Sequence, residues 1–170
     1  INEINYYISI SIEQNLSYRQ LREKIKSKEY QRLDDKTKLK LIYKEETVVS
    51  DFIKNPIVIR NKYNIDKKSV TEKILQRLIL EDIPSFLKEL GDGFTFVENE
   101  YKIKIGNTFN YIDLLLYNIK FNCYVVIELK TRKLEHVDIG QIKYYVEYIN
   151  KNIKKEREKS SLPTSYFLGH

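Results

Sequence analysis

Two nearly continuous apolar runs, Phe109–Tyr117 and Cys123–Lys130, constrain the fold most, because each has the length and composition of a strand buried at the centre of a sheet. The short spacing between them predicts a hairpin. Ionisable groups interrupt both runs. Asp113 lies within Tyr111-Ile112-Asp113-Leu114-Leu115-Leu116, where an unpaired carboxylate costs several kcal/mol unless it is neutralised, hydrogen-bonded or bound to a cation. The second run closes as Val126-Ile127-Glu128-Leu129-Lys130, and a strand's period of two puts Glu128 and Lys130 on one face and Leu129 on the other.

A hairpin can set Asp113 beside that pair. Two carboxylates and a lysine on one sheet face suit metal-assisted phosphodiester hydrolysis, in which a cation polarises the phosphate and acidifies a water. The lysine would then orient that water or meet the charge developing on the phosphorus oxygens. The competing reading makes Asp113 and Lys130 a buried ion pair, with Glu128 marking a solvated strand end.

Soft-metal chemistry lacks ligands. The chain has one cysteine and two histidines, so a structural zinc site and an internal disulfide are both excluded. Cys123 sits in an apolar run as a small hydrophobe. Neither His136 nor His170 has a second soft ligand at useful spacing, so a catalytic metal would be hard and oxygen-bound, magnesium or manganese. The net charge of +6 favours a polyanionic partner, although a Lys-, Ile-, Asn- and Tyr-rich composition also follows from an AT-rich genome.

The remaining pattern predicts a mixed α/β domain behind a helical lead-in. Residues 1–41 are broadly helical, with Ser17 as an N-cap, and a short helical stretch ends before Pro56. A helix over Ser69–Leu90 carries an apolar stripe from Ile74 to Leu90, is kinked at Pro84 and closes at Gly91. Phe94–Val97 and Tyr101–Ile105 alternate as strand, with a turn at Glu98–Glu100. A last helix over Val137–Asn150 precedes a charged, solvated run over Lys151–Lys159, and Tyr166-Phe167-Leu168 begins one more strand. The expected domains are 1–55, a helical end-piece, and 56–170. The chain opens at Ile1 and shows no leader and no membrane-spanning run, which reads as a fragment of a cytoplasmic protein.

An acidic residue in one strand followed by (D/E)-x-K at the end of the next resembles the PD-(D/E)XK nuclease signature, with Ile112 in place of the proline. Gln141 and Tyr145, in Gly140-Gln141-Ile142-Lys143-Tyr144-Tyr145, add the Gln-x-x-x-Tyr spacing shared by RecB-like members. Longer stretches are similar to the YhcG-type PDDEXK nuclease proteins of bacteria: Phe86-Leu87-Lys88-Glu89-Leu90-Gly91, Gly93-Phe94, Phe96-Val97, and the two motif strands. Upstream, Leu16-Ser17-Tyr18-Arg19-Gln20-Leu21 and Tyr30-Gln31-Arg32-Leu33 are similar to the end of that family's helical N-terminal domain.

The resemblance implies a restriction-endonuclease-like α/β fold with a mixed sheet, acting on DNA with magnesium. It assigns Asp113 and Glu128 as metal ligands, Lys130 as the catalytic lysine and Gln141 as a supporting polar group, with Tyr145 as support or core. Two departures stand out. The family's acidic position on the first helix, in a Leu-Glu pair, is Leu75-Gln76 here, and an amide is a poorer cation ligand. Glu72 and Glu81 are the alternative acids, against the simpler reading of both as solvated charges. The family also continues into a further strand after Phe167, so the sheet is expected to be incomplete, with an open edge available to a partner or a homodimer. Against a metal-dependent deoxyribonuclease stand a DNA-binding module with impaired catalysis and a protein-interaction domain.

Overall fold

The computed structural model of the chain describes residues 2–53, 59, 64–66, 69–153 and, for the backbone alone, 162–167. Two units separate by their internal contacts, Ile1–Ile57 and Val58–His170.

The first unit is helical. The broadly helical pattern resolves into α1 (Asn2–Glu13), α2 (Tyr18–Lys26) and α3 (Asp35–Tyr43), with 3-10 turns at Tyr30–Arg32 and Val49–Phe52. The Ser17 hydroxyl accepts from the Gln20 amide, and the Gln20 side chain accepts from the Ser17 backbone, which starts α2 as the sequence predicts. Tyr6, Tyr7, Ile10 and Leu33 form the core. Glu29 is buried beside it, accepting from the Tyr6 hydroxyl at 2.9 Å and pairing with Lys24 at 3.2 Å. Two donors on one buried carboxylate offset its desolvation.

The second unit begins with α4 (Glu72–Glu81) and α5 (Ile83–Leu90), which correct the expected single helix kinked at Pro84. The break falls at Asp82, which leaves helical geometry at φ −143° and ψ 55° and caps α5 by accepting from the Ser85 amide. Pro84 sits in the first turn of α5, where its missing N–H costs nothing.

Strands β1 (Phe94–Ile105), β2 (Thr108–Asn118), β3 (Cys123–Lys130) and β4 (Leu162–Phe167) form one sheet in that order. The expected turn at Glu98–Glu100 is absent: β1 runs through it with a register shift between Phe96 and Glu98, and Glu100 takes φ +50°. A bulge absorbs the extra residue without ending the strand. β2 and β3 form the predicted antiparallel hairpin, Asn118 facing Cys123 and Leu114 facing Ile127. Asn118 is fully buried and locks the turn, donating to the Asp92 carbonyl and accepting from the Lys120 and Phe121 amides. Gly93, at φ +82°, lies where an added Cβ would stand 3.2 Å from the Asn118 Oδ1.

After β3 the chain crosses through α6 (His136–Asn152) to β4, which lies parallel to β3 from Val125↔Leu162 to Lys130↔Phe167. β4 therefore starts earlier than the expected Tyr166, and β3 is an interior strand with a neighbour on each side. Most of the charged run after α6, and residues 168–170, lie outside the described residues.

One face of the sheet, with Leu115 and Val126, packs against Ile142, Tyr145, Val146 and Ile149 of α6. Leu114, Leu116 and Ile127 alternate to the other face and are equally buried, α4 packs on β3, and α5 packs on β1. Covering both faces explains why the motif strands read as continuous apolar runs. Among the described residues no helix is long and apolar enough to cross a membrane.

Candidate active site

The β2–β3 ladder ends at Leu114↔Ile127, and Asp113 and Glu128 follow directly beyond it, near enough for the Asp113 charge to act on Glu128. Here the backbone ladder gives way to a side chain: Asp113 Oδ2 accepts from the Leu129 amide at 2.7 Å. Lys130, two residues beyond Glu128, turns back so that its Nζ donates to Glu128 Oε1 at 2.8 Å. The competing Asp113–Lys130 ion pair is not what forms; the lysine's close partner is Glu128.

Glu128 is 5% exposed, and its other oxygen, Oε2, is buried with no hydrogen-bond partner. Burial pushes the Glu128 carboxyl up to about 7, the Asp113 charge adds to this, and the Lys130 hydrogen bond opposes it. Asp113 is also raised, first by burial, against the Leu129 amide and the Lys130 charge. For Lys130 burial works to lower the pKa, yet the bond to Glu128 and the charges of Glu128, Glu72 and Asp113 outweigh it and the pKa is raised. The cluster thus holds more carboxylate than its single lysine can neutralise.

Glu72 belongs to this cluster. It opens α4, and its Oε2 stands 3.9 Å from Lys130 Nζ, whereas Glu81 pairs with Arg77 at 3.9 Å on the outside of the helix. One turn after Glu72, Gln76 Nε2 donates to the Asp113 backbone carbonyl at 3.2 Å, which brings α4 onto β2 at the site. Gln141 and Tyr145 meet each other instead of the carboxylates: Gln141 Nε2 donates to the Tyr145 hydroxyl at 2.6 Å. Tyr145 is buried, which raises its pKa, and the charges of Glu128, Asp113 and Lys130 act on it from nearby.

Residues 50–164 match the model of the YhcG PDDEXK nuclease domain family. The chain belongs to this family. Over 82 residues it is 28% identical to "Putative nuclease YhcG" of Escherichia coli (strain K12), covering 48% of this chain and 22% of the relative. The chain therefore aligns with about a fifth of that relative's length. Two solved structures are similar at a TM-score of 0.41: a repair endonuclease from Pyrococcus abyssi, 23% identical over 58% of this chain and 38% of that one, and an EndoMS–dsDNA2 complex, 22% identical over 62% and 39%.

Every residue of the cluster lies within the span matched to the YhcG PDDEXK family. One pair near it went unnoticed in the sequence. Arg132, just after β3, forks onto Asp138 of α6 with two bonds of 2.8 Å, and Asp138 also accepts from the Glu135 amide at 2.9 Å. The signal available was an acidic residue three positions into a helix, a capping pattern. This bidentate pair ties the start of α6 to the end of β3 and so fixes the helix that carries Gln141.

The donor set fits a hard divalent cation. Asp113 and Glu128 offer carboxylate oxygens, one of them buried and unpartnered. Among the described residues no three acidic, His or Cys side chains form a ready cage. Magnesium is held in just this way by many proteins, through one or two carboxylates with water completing the shell.

Proposed function

We propose that the Val58–His170 unit is a divalent-metal-dependent nuclease that hydrolyses phosphodiester bonds of DNA. The observation that carries this reading is the buried, unpartnered Oε2 of Glu128 near Asp113, with Lys130 bonded to the other Glu128 oxygen. Asp113 and Glu128 would hold magnesium or manganese. Such an ion, when bound, supplies Lewis-acid polarisation of the phosphate and lowers the pKa of a water.

The chain's own residues do the rest. The Leu129 amide orients Asp113, and the Gln76 amide holds the strand beneath it. Lys130 keeps its proton and is placed to orient the attacking water or to meet charge on the phosphate oxygens in the transition state. Tyr145, held by Gln141, lies within reach of the cluster's charges, and the net charge of +6 suits a phosphate backbone.

A second reading, a DNA-binding module of impaired activity, is favoured by Gln76, whose amide stands where the family carries an acid and is spent on the Asp113 carbonyl. The deciding experiment measures cleavage of linear, circular and single-stranded DNA with magnesium, manganese or chelator, beside Asp113→Asn. Metal-dependent cleavage lost in the variant supports the nuclease; salt-sensitive binding without cleavage at any metal concentration supports the module.

A further inference from the structure

Beyond the last β2–β3 pair, β1 and β2 continue together as a two-stranded ribbon from Tyr101↔Ile112 to Ile105↔Thr108, closed by Gly106 at φ +59° and Asn107. Directly opposed residues share a face, so Lys102 with Tyr111 and Lys104 with Phe109 lie on one side, and Tyr101, Ile103, Asn110 and Ile112 on the other. The second side is buried: Ile103 and Ile112 join the core that includes Ile149 of α6. The first is open, with Phe109 55% and Tyr111 52% exposed and both lysines exposed.

Isolated exposed aromatics need no explanation, but these two are neighbours on one strand face with lysines opposite both. The Lys102 ammonium lies 3.9 Å from the centre of the Phe109 ring, so this face already pairs a cation with a ring. Rings flanked by lysines are the elements of a stacking platform, in which bases lie on aromatic faces and phosphates meet ammonium groups. Paired bases inside a duplex have no free face to offer, so the ribbon suits unpaired ones. A stable protein partner would need a patch of roughly 800 Å² per side, more than two rings and two cations supply. Tyr111 is two residues from Asp113, roughly 7 Å along a strand. Between the ribbon and the site lies Glu100, at φ +50°, whose charge acts on Asp113.

We propose that the exposed face of the β1–β2 ribbon binds an unpaired segment of nucleic acid, its bases stacking on Tyr111 and Phe109 and its phosphates meeting Lys102 and Lys104. The proposal deepens the nuclease reading and rests on it for the partner class: the ribbon would lead a frayed or single-stranded end to the carboxylate cluster.

The test measures binding of the full chain in chelator, so that no cleavage occurs, to a short fluorescent oligothymidine, the matching oligouridine and a blunt duplex. The variants are Phe109→Ala/Tyr111→Ala and Lys102→Gln/Lys104→Gln, with thermal melting to confirm folding. Removing the rings is expected to weaken single-strand binding by roughly 5- to 150-fold per stacked base, leaving duplex binding and the salt slope unchanged. Removing both lysines is expected to flatten the single-strand salt slope by about 1.4. A 2-aminopurine base in the oligonucleotide should be quenched by the wild type and not by the ring variant. The two single strands decide whether the ribbon accepts either sugar or DNA alone. Ring variants that bind single strands as the wild type does, or that lose single strand and duplex equally, overturn the proposal. The nuclease reading is judged separately, by whether Asp113→Asn abolishes metal-dependent cleavage of duplex.

Discussion

The Leu129 amide donates to Asp113 Oδ2 at 2.7 Å, so a side chain on β2 takes the place of a backbone acceptor for β3. The same carboxylate therefore serves the hairpin and the site. Asp113→Ala should cost about 1–3 kcal/mol by leaving a buried donor unmade, whereas Asp113→Asn keeps an acceptor oxygen and most of the stability. Cleavage should vanish in both. Urea denaturation beside a cleavage assay checks this, and equal stability of the two variants would show the Leu129 bond to be dispensable.

Glu128 makes stability depend on pH. Its folded pKa of about 7 lies above the usual 4.5, so between these values the native state binds more protons than the unfolded chain. The contribution is complete below about 4.5 and is lost as pH rises through about 7. Asp113, also raised, acts in the same direction. Metal-free protein should lose melting temperature from pH 5 to pH 8, with a shallower decline in Glu128→Gln, as thermal scans in chelator would reveal.

Lys130 tests the division between binding and chemistry. Lys130→Met is expected to lower cleavage by about 10²–10³-fold, the scale of losing one transition-state donor, with DNA affinity little changed. Parallel losses in rate and affinity would make Lys130 a phosphate tether.

For Gln76 the bond to the Asp113 carbonyl predicts a conditional effect. Gln76→Glu removes that donor and sets a carboxylate near Asp113 and Glu128, so the metal-free protein should melt lower. An added anionic oxygen should then give magnesium a larger stabilising effect than in the wild type, readable from a melting series across magnesium concentration. A variant indifferent to magnesium would place residue 76 outside the metal's reach.

Asn118 offers a control away from the site. Asn118→Ala removes the side-chain partner of the Asp92 carbonyl and of the Lys120 and Phe121 amides, and should cost about 1–3 kcal/mol while leaving metal affinity unchanged once folded. Denaturant melts and magnesium titration measure the two effects.

Much of the second unit was legible where hydrophobic periodicity dominates. The 109–117 and 123–130 runs became β2 and β3 with Asp113 near Glu128, because burial on both faces leaves few ways to place charges. Glu98–Glu100 misled because a half-exposed strand through a bulge has the polarity of a turn. Pro84 was read as a kink, although Asp82 two residues earlier carried the capping signal. Leu162–Phe167 holds Pro, Thr and Ser, and its pairing with β3 follows from the α6 crossover, a tertiary fact. Glu72 was indistinguishable from a solvated charge, since its approach to Lys130 depends on how α4 lies on β3.

Cys123, 2% exposed, opens β3 opposite Asn118, at the end of the hairpin away from the carboxylates. As the chain's single cysteine it is also an internal clock. A thiol reagent reaches it once that end of the hairpin has parted, so labelling fast enough to outpace reclosing reports how often β2 and β3 separate, and slow labelling the fraction of time they are apart. The protein needs no added probe for its local opening to be timed.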